Sequence, residues 1–166
     1  MTVPAYFNSC QKQATKDACA IAGLDCARVI QEPTAASVAY GLHRQDNIAD
    51  SMEEKCILVY DIGGGTLDVS ILSMSEGLVD VAGTSGDAYL GGRDFDEALV
   101  DYLNAEFHRQ HSRNLREPQY HAAYQRLRRV AEQVKIELSN QEAVPINARN
   151  ILGAMGLNMS LTRDKF

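Results

Sequence analysis

The residues with the clearest chemical potential stand together in Asp61-Ile62-Gly63-Gly64-Gly65-Thr66-Leu67-Asp68. Three consecutive glycines bring backbone N–H groups close to a ligand with no Cβ in the way, and they adopt positive φ freely. Such a turn makes a concave nest of donors suited to phosphate oxygens. Two carboxylates flank it, and on their own they repel an anion. Between Cys56 and Gly92 no Lys or Arg offsets them. A divalent cation between carboxylates and phosphates reconciles the two facts, and Mg²⁺ binds in that way through its retained waters. Thr66 adds a hydroxyl beside the terminal phosphate position, and strand alternation puts Thr66 and Asp68 on one face, toward the same cleft. The alternative is a plain glycine-rich hairpin turn capped by Asp61, and three glycines are compatible with either. The lysine-bearing G-x-x-x-x-G-K-[ST] loop is absent, although Gly86-x4-Gly91-Gly92-Arg93 comes near it. The pattern G-x-G-x-x-G fails because Asp68 holds the third glycine's place.

Other reactive side chains form no such group. Cys10, Cys19, Cys26 and Cys56 make no C-x-x-C pair and have no His at metal-ligand spacing. Free, half-buried thiols in a reducing compartment are expected. Cys19 and Cys26 are seven positions apart, but Gly23 and Asp25 interrupt a shared helix face. His43, His108, His111 and His121 are scattered and read as surface or capping residues.

The elements that must position the acidic turn follow from periodicity. Val3 to Phe7 reads as a strand ending, Gln13 to Leu24 as a helix stopped at Gly23, and Arg28 to Gln31 as a short strand. Pro33 sits at a helix start, and Thr34 to Leu42 is an alanine-rich helix closed by Gly41. Polar residues His43 to Lys55 read as a surface loop. Cys56 to Ile62 is an apolar strand, Thr66 to Ser73 an alternating one, and Leu78 to Ala82 a third after a turn at Glu76-Gly77. An antiparallel meander is predicted. Gly83 to Gly92 reads as a loop before a helix opened by Asp94, with Glu97 as its capping-box partner. Phe95, Leu99, Tyr102, Leu103 and Phe107 give that helix a buried stripe. A second long helix runs from Gln119 to Leu138, and weak strands fill 143 to 162. Those strands are expected to lack partners and to leave apolar edges exposed. The order of strands and helices is that of an α/β fold.

The chain has 166 residues, and 16 Lys and Arg against 22 Asp and Glu leave a net charge of −6. That balance argues against nucleic acid as a partner, since phosphate-backbone binding needs clustered basic charge. Basic residues do gather around the second long helix, from Arg109 to Lys135, and read as a solvated face. No run of eighteen apolar residues exists to span a membrane.

Several segments in register resemble one family. TVPAYFN (2–8), QATKDA (13–18), IAGL (21–24), EPTAA (32–36), AYGL (39–42), DIGGGTLDVSIL (61–72) and LGGRDFD (90–96) resemble the nucleotide-binding domain of the 70-kilodalton heat-shock chaperones. The resemblance implies part of a ribonuclease H-like, actin-like ATPase fold: a crossover from a first lobe plus part of a second. It divides the chain into 1–42 (end of the first lobe), 43–55 (loop), 56–111 (meander, phosphate loop and helix) and 112–166 (start of an upper subdomain). It implies ATP or ADP with Mg²⁺ as cofactors, ATP hydrolysis, and assistance to protein folding. Gly63, Gly64, Gly65 and Thr66 then match a phosphate loop, and Gly92 a further phosphate-contacting glycine. Asp61 and Asp68 match the carboxylates of the magnesium shell, Glu32 a glutamate that positions water beside it, and Thr66 the hydroxyl at the γ-phosphate. Those four make the catalytic set. Pro4 matches a proline that switches with nucleotide state, Lys12 its basic partner, and Arg28 a contact for a J-domain co-chaperone.

A nucleotide-exchange factor is implied as a second partner, and unfolded client proteins as a third, through a peptide-binding domain not among these residues. The family's first phosphate loop and its lysine are likewise not matched, so the resemblance reads the chain as a fragment. Cytoplasmic location is the default expectation. Two alternatives stand beside this reading: a non-catalytic interaction module of the same family, or another actin-like or sugar-kinase relative. Gln31, Ala88, Tyr89 and Arg93 depart from the family pattern.

Overall fold

The computed structural model describes residues 1–41, 55–75 and 78–166. Of the loop expected at 43–55, residues 43–54 lie outside the described residues, as do the end of a helix at Leu42 and the turn at Glu76-Gly77, while Lys55 is already in a strand. The chain divides into two compact units, Met1–Leu90 and Gly91–Phe166.

In the first unit a two-residue strand, β1 (Thr2–Val3), runs parallel to β2 (Ile30–Gln31), with Val3 opposite Gln31. Between them lies α1 (Ser9–Ile21). It begins earlier than the apolar period indicated, because Asn8 and Gln11 form a reciprocal capping box. The Asn8 side chain accepts the Gln11 N–H at 2.9 Å, and the Gln11 side chain accepts the Asn8 N–H at 2.9 Å. Helix α2 (Glu32–Ala39) follows β2 directly, with Pro33 in its first turn, where a missing N–H costs nothing.

Strands β3 (Lys55–Ile62), β4 (Leu67–Ser75) and β5 (Leu78–Asp87) form the predicted antiparallel meander, in that order. β5 runs five residues past its expected end at Ala82, through a segment whose glycines read as loop. The glycine there serves close pairing: Gly86 stands opposite Asp68, and a Cβ on it would collide with the Leu67 carbonyl. The register slips between Ile71 and Leu72, a bulge that leaves Ala82 as the extra residue. Helix α2 packs on one face of this sheet. On the covered face Ser70, Leu72 and Met74 are buried. On the other, Leu58 pairs with Ile71 and Tyr60 with Val69, while Leu58, Tyr60 and Ile71 are 65%, 61% and 47% exposed. Exposed apolar surface therefore lies on the meander.

It does not lie where the sequence reading put it. In the second unit β6 (Ala143–Leu152) and β7 (Met155–Thr162) pair with each other, Ala143 opposite Thr162. The hairpin packs on α4 (His121–Leu138), and its Val144, Ile146, Ile151, Leu157 and Leu161 are buried. They share a core with α4 and with Leu99, Val100, Leu103 and Phe107 of α3 (Gly92–His111). Phe95, assigned to that stripe, is 41% exposed. The cap of α3 also differs from expectation. Gly91 is the N-cap, and Asp94 is the residue that reaches back, accepting the Gly91 N–H at 2.7 Å. Glu97 instead meets Arg116 at 2.7 Å and the Tyr124 hydroxyl. Grouped by sequence with the meander, α3 packs with α4. The basic residues near α4 are in good part paired: Arg109 with Glu106, Arg116 with Asp101 and Glu97, and Lys135 with Asp96. Among the described residues no helix is long and apolar enough to cross a membrane.

The two β5 glycines separate pairing from flexibility. Gly86→Ala should cost about 1–3 kcal/mol of stability by forcing β4 and β5 apart beside Asp68. Gly83→Ala, whose Cβ meets nothing within 4 Å, should stay within about 0.5 kcal/mol of the parent in urea unfolding.

Candidate functional site

Asp61 and Asp68 stand directly opposite one another in the β3–β4 ladder. Opposed residues point to the same side of a sheet, and like charges so placed weaken the pairing. The side they share is the one α2 covers. There Glu32, the first residue of α2, adds a third carboxylate. Burial raises the Glu32 pKa above its ordinary range, and Asp61 and then Asp68 push it further. The Tyr6 phenol is likewise raised by burial first, then by Asp68 and Glu32. Pro4, Ser70 and Thr84 complete the rim of the niche, and none of its lining residues is Lys or Arg. The enclosed space is about 10 Å³, room for a single water.

The glycine turn sits at the end of the same two strands. Gly63 donates its N–H to the Thr66 carbonyl at 2.8 Å, closing the turn. Gly63 thus uses its N–H to close the turn. Positive φ is not what the glycines supply here, since neither Gly63 nor Gly64 has it. Gly64 faces open space, where a Cβ would meet nothing within 4 Å of the protein. Thr66 lies just before β4 begins, so the alternation that pairs it with Asp68 starts only at Leu67. From Asp68 onward that alternation holds, and it carries Ser70 into the niche with Asp68.

The structure brings Glu32, Asp61, Asp68 and Pro4 together. Lys12, on α1, and Arg28, exposed ahead of β2, are not part of the niche lining. Gly92, first residue of α3, belongs to the second unit, where its carbonyl accepts Lys135 Nζ at 3.1 Å. Lys135 Nζ also lies 2.6 Å from Asp96 Oδ1. That buried oxygen has no aligned hydrogen-bond partner, so the contact is an ion pair by proximity alone.

Sequence reasoning missed Tyr6, Ser70, Thr84 and the role of Gln31. The Gln31 amide donates to the Ala5 carbonyl at 3.2 Å, and the Phe7 N–H donates to the Pro4 carbonyl at 3.1 Å. Together they hold the Pro4 turn against the start of α2. Period-two reading from Asp68 reaches Ser70. Thr84 was hidden by the assignment of its segment to a loop.

The Hsp70 protein family model matches residues 1–166. A mitochondrial heat shock 70 kDa protein of Pisum sativum is 49% identical over 170 aligned positions, covering 100% of this chain. The chain belongs to the Hsp70 family. It spans 24% of the length of that pea relative, and it corresponds to part of the Hsp70 nucleotide-binding domain. Membership brings the actin-like ATPase fold, with which the mixed α/β organisation agrees. Hsp70 proteins as a family bind ATP or ADP with Mg²⁺ and work with J-domain proteins, exchange factors and clients.

The residues of this chain fit that cation. Three carboxylates gather with no basic side chain in the niche, and Glu32 is raised by burial first and by Asp61 and Asp68 after it. Among the described residues no three acidic, His or Cys groups are arranged to ligate a metal directly.

Glu32 allows a test without turnover. Its folded-state pKa is raised, so its ionised form costs stability above that pKa and nothing below its ordinary 4.5. Glu32→Gln should therefore raise the thermal unfolding midpoint near neutral pH, with the gain vanishing once the pH falls well below 4.5. Millimolar Mg²⁺ should raise the parent's midpoint at neutral pH and raise that of Glu32→Gln less.

Proposed function

We propose that this chain supplies one side of the phosphate and magnesium site in an ATP-hydrolysing Hsp70 chaperone. The opposition of Asp61 and Asp68, with Glu32 beside them, carries the reading. Bound Mg²⁺ would neutralise phosphate charge, which is most of what phosphoryl transfer requires of a protein. Asp61 and Asp68 would hold its waters from the strand ends. Glu32 would orient a water at the niche mouth, its raised pKa making it a readier proton acceptor than an ordinary carboxylate. Gly64 and Gly65 would let phosphate oxygens reach the backbone, and Thr66 would present its hydroxyl to the terminal phosphate. Gly92, by the family resemblance, would be a further phosphate-contacting glycine. In the full-length protein the facing phosphate loop and its lysine would complete the clamp.

In that full-length protein Asp61→Asn should lower ATP turnover by about a hundredfold, the scale of losing one preorganised electrostatic group. Nucleotide affinity should fall less, because the backbone donors remain. Unchanged turnover would remove Asp61 from the mechanism. The 166 residues alone should bind nucleotide weakly at most and show no multiple turnover, since positioning needs both sides of the clamp. A non-catalytic interaction module would instead give a full-length protein whose nucleotide handling ignores Asp61→Asn.

Partners follow the same reading. Arg28 is exposed between α1 and β2, four residues before Glu32, and would take a J-domain there, with Pro4 and Lys12 relaying nucleotide state. An exchange factor and unfolded clients would engage other parts of the whole protein. Arg28→Asp should abolish J-domain stimulation of ATPase activity while basal turnover stays within about twofold, because a rim charge acts on association. Equal stimulation of variant and parent would sink the site. The pea relative is named as mitochondrial; fractionation of cells carrying the tagged full-length protein decides between that compartment and the cytosol.

A further inference from the structure

The meander has two edges, and only one is guarded. Its strand order is β3-β4-β5, and among the described residues no strand lies beyond β3 or β5. An edge strand presents a row of unpaired N–H and C=O groups, which proteins blunt with charges, prolines or bulges. β5 carries Asp80, Gly83, Gly86 and Asp87, and its register with β4 is broken by the bulge. β3 has none of these devices inside it. It pairs with β4 in unbroken register, and from Cys56 to Tyr60 it holds no charge, proline or glycine. Cys56, Leu58 and Tyr60 are exposed on the face that α2 leaves uncovered.

The charges of β3 stand near its ends, Lys55 at one and Asp61 at the other, and they select what can pair with it. A second β3 laid parallel and in register would set Lys55 against Lys55 and Asp61 against Asp61, which opposes the pairing. Laid antiparallel about a two-fold axis at Leu58, it sets Lys55 opposite the partner's Asp61, and does so twice. Ile57 then faces the partner's Val59, Cys56 the partner's Tyr60, and Leu58 its own copy. Opposed residues share a face, so the apolar stripe continues across the seam on one side and both ion pairs lie on the other. A register shifted by one residue puts Asp61 opposite Cys56 and loses both ion pairs.

We propose that β3 is a pairing edge for a second copy of this chain, joining two meanders into one antiparallel sheet through two Lys55–Asp61 pairs. The contact is isologous, the same strand on both sides of a two-fold axis, so it closes at a dimer. The proposal stands apart from the phosphate reading. It uses Asp61 as a charge near a strand end and needs neither nucleotide nor Mg²⁺.

Charge exchange tests it in the 166-residue chain without nucleotide, at low salt, where exposed charges are least screened. Sedimentation equilibrium across the micromolar range should show the parent as a monomer–dimer system. Lys55→Asp places like charges at both ends of the seam, and so does Asp61→Lys; each alone should weaken dimerisation by at least about tenfold. An equimolar mixture of the two variants places unlike charges at both ends again. Native mass spectrometry, which separates the variants by mass, should find a one-to-one heterodimer, and the double exchange Lys55→Asp/Asp61→Lys should restore the homodimer. Recovery in the mixture also shows that both single variants are folded. A parent that stays monomeric would overturn the proposal and leave the edge to a strand from elsewhere in a longer polypeptide. Single variants that associate as the parent does would overturn it in favour of contact through the exposed face. A mixture no tighter than its components would overturn the register.

Discussion

Two carboxylates facing each other across a β-ladder are the constraint around which the first unit is arranged. Asp61 and Asp68 cannot separate without breaking the register that also sets Val59 against Ser70 and Ile57 against Leu72. Apolar pairing farther along the strands fixes the acids in opposition at the turn end. Glu32 is added from α2, where burial first and then Asp61 and Asp68 raise its pKa. Three carboxylates thus gather with no basic residue in the lining of the niche.

The supports of that niche are short and local. The N-terminal strand pair is only two residues long, yet it sets the Pro4 turn beside Glu32, and the Gln31 amide fastens the two at 3.2 Å. Gln31 stands where the family pattern has another residue, but its side chain still reaches the Ala5 carbonyl. Pro33 starts α2 at the one place where a proline suits a helix. The result is a carboxylate whose backbone is fixed on both sides: by β2 before it and by the first turn of α2 after it. The second unit holds its own glycine, Gly92, in a similar manner, with Gly91 capped by Asp94 and Lys135 bonded to the Gly92 carbonyl.

The meander's two faces divide its labour. One is covered by α2 and carries the acids, Ser70, Leu72 and Met74. The other presents Leu58, Tyr60, Ile62 and Ile71, all more than two-fifths exposed. Cys56 to Ile62 is near-continuously apolar, the composition of a strand buried on both sides.

Much was legible without coordinates. The acidic glycine turn, its flanking strands, the antiparallel order and the two long helices followed from period-two and period-3.6 patterns, which are local and survive in one dimension. So did the family, because its motifs are contiguous segments in register. Boundaries were less secure: β5 was cut short at Ala82 because glycines argue for loops when the strand that needs them cannot be seen. The cap of α3 was misplaced by three residues, since Asp94 suits either the cap or the position that reaches back to it. Residues 143–162 were left without partners, because a hairpin's pairing is not encoded in either strand alone. Only tertiary structure decided that Gly63 closes its own turn and that Tyr6, Ser70 and Thr84 join three carboxylates. Each of these depends on where the chain returns after a reversal, and sequence spacing measures distance along the chain, not across it.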